Sequence, residues 1–308
     1  MGMESFDTAI RYETTPDGPR IRIGHWPSDN GGNRRIVLCH GRTEFLEKYT
    51  ETIGDLAARG FEVWSMDWRG QGASDRALKN PYKGYIDRFE SYIADLAWFF
   101  DTIIGSSDGD GDGETLLMAH SMGGHITLRA VLEGRVKPDH FILSAPMIDL
   151  PVAGIGRPAI TALSWAMTGI GLGGRYVVGT GDYDPARVKF DGNPLTGDRT
   201  RFNAIHAAIA ANPVMALGGP TFGWLNATLQ SVRVLRGLSQ ASPRTCPTLL
   251  FTAMADTVVS VTAQTEMGAA LPDCEQVQVI DAHHEILHET DAIRQQFWGA
   301  FDEFTSAA

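Results

Sequence analysis

Ser121 sits in Leu116-Leu117-Met118-Ala119-His120-Ser121-Met122-Gly123-Gly124, between an apolar run and a helical stretch. The spacing reads as a nucleophile elbow, in which a sharp strand-to-helix turn holds the serine in a strained conformation with its hydroxyl clear of the sheet edge. Crowding in such a turn demands a small residue two positions before the serine and two after, here Ala119 and Gly123. A serine nucleophile needs a base to take its proton and an acid to orient that base. Asp256 follows the apolar run Leu249-Leu250-Phe251-Thr252 and is the candidate acid, with Asp149 its rival. Asp281-Ala282-His283-His284-Glu285 follows Val277-Gln278-Val279-Ile280, and His284 is preferred to His283 as base. His288, one helical turn on, reads as a surface residue. The oxyanion of acyl transfer needs two preorganised N–H donors, for which the backbone amides of Met122 and Arg42 are the candidates. His40 reads as a turn histidine bonded to backbone.

The elements that must position these residues follow from periodicity. Thr8–Tyr12 and Ile21–Trp26 alternate like antiparallel edge strands around the turn Thr15-Pro16-Asp17-Gly18. Ile36–Cys39, Phe61–Met66, Thr115–Ala119 and Phe141–Ser144 read as buried strands. Tyr49–Arg59, Phe89–Ile104 and Met122–Glu133 read as helices between them. This is an α/β pattern with a mostly parallel, doubly wound sheet. From Asp149 to Ser242 no buried strand is recognisable, and the stretch reads as a helical cap. The rhythm then resumes with strands Thr248–Thr252 and Gln276–Ile280 and helices Thr262–Ala270 and Asp291–Phe304. The expected division is therefore a core of 1–148 and 243–308 with a cap, or lid, of 149–242.

Composition closes off several function classes. The chain has 308 residues, 43% hydrophobic and 20% charged, with 37 acidic and 26 basic side chains for a net charge of −11. These are globular values, and the acidic balance argues against a nucleic-acid partner. The uncharged run Pro158–Gly174 is shorter than the roughly 20 residues of a membrane span, so no transmembrane segment is expected. Three scattered cysteines and a start without a basic or apolar leader point to a cytoplasmic protein. Asp108-Gly109-Asp110-Gly111-Asp112-Gly113 begins like a calcium loop, but its twelfth position is Ala119 rather than glutamate, and it reads as a solvated acidic loop. His283, His284 and His288 lack a convincing carboxylate set, and neither metal nor cofactor is expected.

Three stretches resemble the α/β-hydrolases, and within them the serine hydrolases that include lysophospholipases of the L2 type and monoacylglycerol lipases. They are Gly41-Arg42-Thr43-Glu44-Phe45-Leu46-Glu47-Lys48-Tyr49; Asp67-Trp68-Arg69-Gly70-Gln71-Gly72-Ala73-Ser74 with Gly84-Tyr85-Ile86-Asp87-Arg88-Phe89; and Ala119-His120-Ser121-Met122-Gly123-Gly124 with Ser144-Ala145-Pro146-Met147. The resemblance implies the α/β-hydrolase fold with a helical cap, Ser121 as nucleophile, Asp256 as acid, His284 as base, and oxyanion donors at Arg42 and Met122. The expected reaction is hydrolysis of a lipid-like ester, a lysophospholipid or monoacylglycerol, through an acyl-enzyme. Trp165, Met167, Tyr176, Phe202, Phe222 and Trp224 are the candidate pocket wall, and the cap is the expected point of transient membrane contact. An amidase or iminopeptidase on the same triad, or a non-catalytic ligand receptor, are the alternative readings.

Overall fold

The computed structural model describes residues 9–28, 34–105, 113–151, 156–240 and 246–306. The acidic run Asp108–Asp112 lies outside them. Eight strands form one sheet: β1 (Ile10–Thr14), β2 (Arg20–Trp26), β3 (Arg34–Cys39), β4 (Glu62–Met66), β5 (Glu114–His120), β6 (His140–Ser144), β7 (Thr248–Ala253) and β8 (Cys274–Val279). Their spatial order is β1-β2-β4-β3-β5-β6-β7-β8. β1 pairs antiparallel with β2, and β2 with β4; every later pairing is parallel. The first strand runs past Tyr12 to Thr14, whose pairing with Arg20 closes the hairpin.

The continuous apolar runs are explained by burial on both faces. Along β3, Val37 and Cys39 enter one core layer and Ile36 and Leu38 the other. Along β5, Leu117 and Ala119 go with the first layer and Leu116 and Met118 with the second. Alternate residues of a strand face opposite sides, so helices must cover both. One layer takes α2 (Glu90–Trp98) and α3 (Ser121–Leu132); the other takes α1 (Thr50–Ala58) and α8 (Asp291–Ser306). The long apolar period over Phe89–Ile104 is not one α-helix. After Trp98 the chain widens into a π-helical turn, Phe99–Ile104, which keeps Phe99, Ile103 and Ile104 buried.

Between β6 and β7 the described residues hold helices α4 (Arg157–Gly169), α5 (Arg199–Ala211) and α6 (Phe222–Gln240), with α4 packed on α6. No helix among the described residues is long and apolar enough to cross a membrane. α7 (Val261–Ala270) and α8 complete the chain. The strand order reverses around β3: the chain runs outward from β3 to β4, then crosses back to β5 on the other side of β3. A crevice opens at the C-terminal ends of the strands flanking such a switch point, and His40-Gly41-Arg42 and Ser121 stand there.

Candidate active site

Ser121 follows β5 directly and opens α3. Its φ of 52° lies in the left-handed region, which costs a non-glycine residue strain that its surroundings must hold. Gly123 shows why the turn needs a small residue: a Cβ there would overlap the carbonyl oxygens of Cys39 and His40 at the end of β3. Two positions before the serine, the Ala119 methyl fits inside the buried sheet.

The three residues expected to work together come from three strand ends and meet. His284 Nε2 is 2.8 Å from Ser121 Oγ, and His284 Nδ1 is 2.6 Å from Asp256 Oδ2. Asp256 keeps its other oxygen on the amides of Val258 and Val259, at 2.7 and 3.1 Å, which fixes the carboxylate toward the imidazole. All three residues are buried. His283 turns away, with Nδ1 2.7 Å from Glu289 Oε1. Asp149 is also elsewhere: its oxygens hold Arg157, Arg236 and, at 2.8 Å, the Leu150 amide.

Met122 is in the first turn of α3, where N–H groups have no intrahelical partner. The peptides beside Arg42 are pinned on both sides. Gly41 N–H donates to Glu44 Oε2 at 2.5 Å, and Thr43 N–H donates to Gln71 Oε1 at 2.8 Å. His40 Nδ1 is 2.8 Å from the Gly41 carbonyl, and Trp68 Nε1–H donates to the His40 carbonyl at 2.8 Å. Hydrogen bonds thus hold the loop on both sides of Arg42.

A family model described as serine aminopeptidase, S33 (Hydrolase_4) matches residues 32–291. The chain is 32% identical over 280 residues to lysophospholipase L2 of Escherichia coli (strain K12), covering 88% of this chain and 80% of that protein. The chain belongs to this family. A probable lysophospholipase L2 of Haemophilus influenzae is 28% identical over 270 residues, 87% of this chain and 82% of that protein. Two solved structures share the α/β-hydrolase fold. A soluble variant of monoglyceride lipase from Saccharomyces cerevisiae, in complex with a substrate analog, superposes with TM-score 0.76 at 19% identity, covering 96% of this chain and 93% of that one. A carboxyl esterase from Bacillus coagulans gives 0.76 at 15% identity, with 97% of each chain covered. The protein is an enzyme, a serine hydrolase.

Beside Ser121 and His284 lies a buried charged cluster that the sequence pattern leaves unassigned. Glu44 accepts from Lys48 Nζ at 2.6 Å and from the Tyr49 hydroxyl at 2.8 Å, besides Gly41. Lys48 Nζ also pairs with Glu285 Oε1 at 2.7 Å. Although desolvation opposes it, the field of Lys48 holds the Glu44 carboxyl well below its usual range, whereas burial raises Glu285. The available signal was the run of Glu44, Glu47 and Lys48 directly after a buried strand, which an i, i+4 spacing disguises as a solvated helix face.

His288 corrects the expectation of a surface residue. It is buried, with Nε2 3.0 Å from the Lys48 carbonyl and its ring edge-on to Tyr49 at 5.0 Å. Burial pushes it well below the ordinary histidine range, so it is neutral. His120 lies 4.8 Å from the His284 ring, and burial lowers it to about 4. A neutral His120 does not oppose an imidazolium at His284.

The candidate wall residues divide. Trp224 packs against Phe89 at 6.3 Å and under the Arg42 guanidinium at 5.1 Å; Phe222 is buried beside it on α6. Tyr176 is half-buried, donates to Asp182 and carries Lys83 over its ring at 5.3 Å. Phe202 is buried between Phe190 and His206 on α5. Met167 is half-buried on α4, and Trp165 is 68% exposed. Among the described residues no group of three His, Cys, Asp or Glu side chains could hold a metal ion.

Proposed function

We propose that this hydrolase cleaves carboxylic esters of lipid-like substrates, lysophospholipids or monoacylglycerols, through an acyl-enzyme on Ser121. The observation that carries the reading is the continuous relay from Ser121 Oγ through His284 to Asp256, at 2.8 and 2.6 Å. His284 takes the serine proton as Oγ attacks the ester carbonyl, and the Met122 and Arg42 amides hold the oxyanion. His284 then protonates the leaving alcohol and activates water to release the acid, while Asp256 orients the ring and stabilises the imidazolium. The lysophospholipase and lipase names of the relatives support the ester class.

The S33 description favours a second reading, an aminopeptidase on the same triad. That chemistry needs a carboxylate for the substrate amine. The buried acids Glu44 and Glu285 are already engaged with Lys48, which supports the ester.

Residues 149–242 act as the lid over this site, with 1–148 and 243–308 as the catalytic core. The exposed Leu163, Trp165, Ile170 and Val178 on the lid supply an apolar surface for transient contact with lipid aggregates. The free thiols of Cys39, Cys246 and Cys274 fit action in the reducing cytoplasm.

Fluorophosphonate labelling, with hydrolysis of a monoacylglycerol, a lysophosphatidylcholine and an aminoacyl amide of matched size, tests the reading. The wild type should be labelled and cleave the esters, and folded Ser121→Ala should do neither. Exclusive cleavage of the amide would overturn the ester class.

A further inference from the structure

The main chain around His284 is held from two sides of the molecule. After β8 the Ala282 carbonyl accepts from the Ala255 amide at 2.9 Å, in the loop that follows β7. The next three amides turn elsewhere. His283 N–H donates to Glu289 Oε1 at 3.0 Å, His284 N–H to the Pro194 carbonyl at 3.4 Å, and Glu285 N–H to the Leu195 carbonyl at 2.8 Å. Two of these acceptors belong to the segment between β6 and β7. The third, Glu289, is itself bound to that segment. Its carboxylate is fully enclosed and divides its two oxygens. Oε1 takes the His283 amide and lies 2.7 Å from His283 Nδ1; Oε2 accepts from the Gly197 amide at 2.9 Å and the Thr290 amide at 3.1 Å. Two further bonds run beside these. Thr196 Oγ1 donates to the His288 carbonyl at 2.7 Å, and Arg201 Nη1 donates to the Glu289 carbonyl at 2.8 Å. The stretch 193–197 is itself folded tightly: Asn193 Oδ1 accepts from the Leu195 and Thr196 amides at 2.9 and 3.0 Å.

A buried carboxylate is costly unless its lone pairs are filled, and here donors from both sides of the contact fill them. We propose that Glu289 is a positioning residue for the general base: it fastens lid residues 194–197 to the 283–289 loop, so that His284 faces Ser121 and Asp256 only while this part of the lid is docked. The lid then serves the chemical step as well as the pocket. Any opening that admits substrate must come from other parts of the lid, since undocking 194–197 would release the base. A general base must stay within hydrogen-bond reach of the proton it takes, and a misplacement of about 1 Å can cost about 10² in rate. This inference rests on the Ser121–His284–Asp256 reading above and adds to it how the base is held.

The test uses one variant on each side of the contact, assayed on a soluble short-chain nitrophenyl ester and on a monoacylglycerol. Glu289→Gln keeps the shape but leaves a single acceptor oxygen for the two sides. Thr196→Val removes the hydroxyl that holds the His288 carbonyl and leaves Glu289 in place. Active molecules are counted by fluorophosphonate labelling carried to completion. Per labelled molecule, Glu289→Gln should lower kcat about tenfold to a hundredfold on both esters, with little change in KM. Thr196→Val should lower kcat in the same sense, by less. Because both act through one contact, the double variant should be little worse than Glu289→Gln alone. A raised KM for the monoacylglycerol, with kcat on the short ester preserved, would show that the contact only shapes the pocket and would overturn the proposal. Losses that multiply in the double variant would mark two separate local effects and overturn it as well. Should Glu289→Gln fail to fold, Thr196→Val decides alone, and an unchanged kcat on both esters overturns the proposal. A wild type that fluorophosphonate does not label at Ser121 would instead overturn the triad reading.

Discussion

Glu44 touches no reacting atom in the proposed mechanism, yet it holds the Gly41 amide that sets the Arg42 peptide. Removing its carboxylate unpins one side of the oxyanion loop and leaves Lys48 with Glu285 alone. Loss of a whole oxyanion donor costs about 10²–10³ in kcat, and a misaimed donor should cost part of that. Glu44→Ala is expected to lower kcat about tenfold to a hundredfold with little change in KM. A purely structural role would instead appear as a lower melting temperature with kcat per folded molecule preserved. The two candidate acids are separable at the same scale. Asp256→Asn should cost about 10⁴ in kcat, the scale known for a triad acid that sets the tautomer. Asp149→Asn should cost less than tenfold, because Asp149 faces Arg157 and Arg236 rather than His284. The reverse ranking in steady-state assays would exchange their roles.

Asp149 has its effect on the elements instead. It stands where the chain leaves the core after β6, and its carboxylate grips Arg157 at the start of α4 and Arg236 near the end of α6. One side chain thus ties together the first and last helices of the 149–242 segment, which also pack on each other. Asp149→Ala should loosen both helix ends. Limited proteolysis should cut the mutant between β6 and β7 several times faster than the wild type, and equal rates would contradict the clamp. The arginines remain partly in water, so the stability loss should stay near 1–3 kcal/mol, below that for breaking a fully buried pair.

The elements also explain what was legible beforehand. Strands β3, β5, β6 and β7 were readable because burial on both faces writes a continuous apolar run. The meeting of Ser121, Asp256 and His284 was readable because each lies in the turn or loop that follows a strand, Ser121 and Asp256 after the continuous apolar runs of β5 and β7 and His284 after the alternating β8. Lys48, Glu285 and His288 were not, because their burial comes from residues 240 positions apart meeting under the strand ends, as when His288 reaches the Lys48 carbonyl. Charged side chains at helical spacing carry no local mark of that. The widened turn at Phe99–Ile104 was hidden for a related reason: its apolar residues keep a helical period while the backbone departs from it.

For the whole molecule, the packing of α3 against α6 depends on a neutral histidine. His125 on α3 has Nδ1 2.9 Å from the Met147 carbonyl and Nε2 2.6 Å from Ser231 Oγ on α6. Arg129 Nη1 also donates to Ser231, at 2.9 Å. Burial lowers His125 from 6.5 to about 4, with Arg129 lowering it further and Asp149 opposing. The unfolded chain therefore binds this proton more readily than the folded one. The stabilisation is complete above pH 6.5, is lost as pH falls, and the loss levels off below about 4. A shift of that size corresponds to about 3 kcal/mol. His120 adds a loss over the same window, while burial raises Asp95 to about 6, so that carboxyl opposes it. The net slope of the wild type thus mixes several groups, and a difference isolates one. His125→Gln can still meet Ser231 but cannot take up the proton. It should be less stable than the wild type at pH 7.5, yet lose less melting temperature between pH 7.5 and about 4.5, by several degrees. Parallel curves for the two proteins would show that the α3–α6 joint does not titrate.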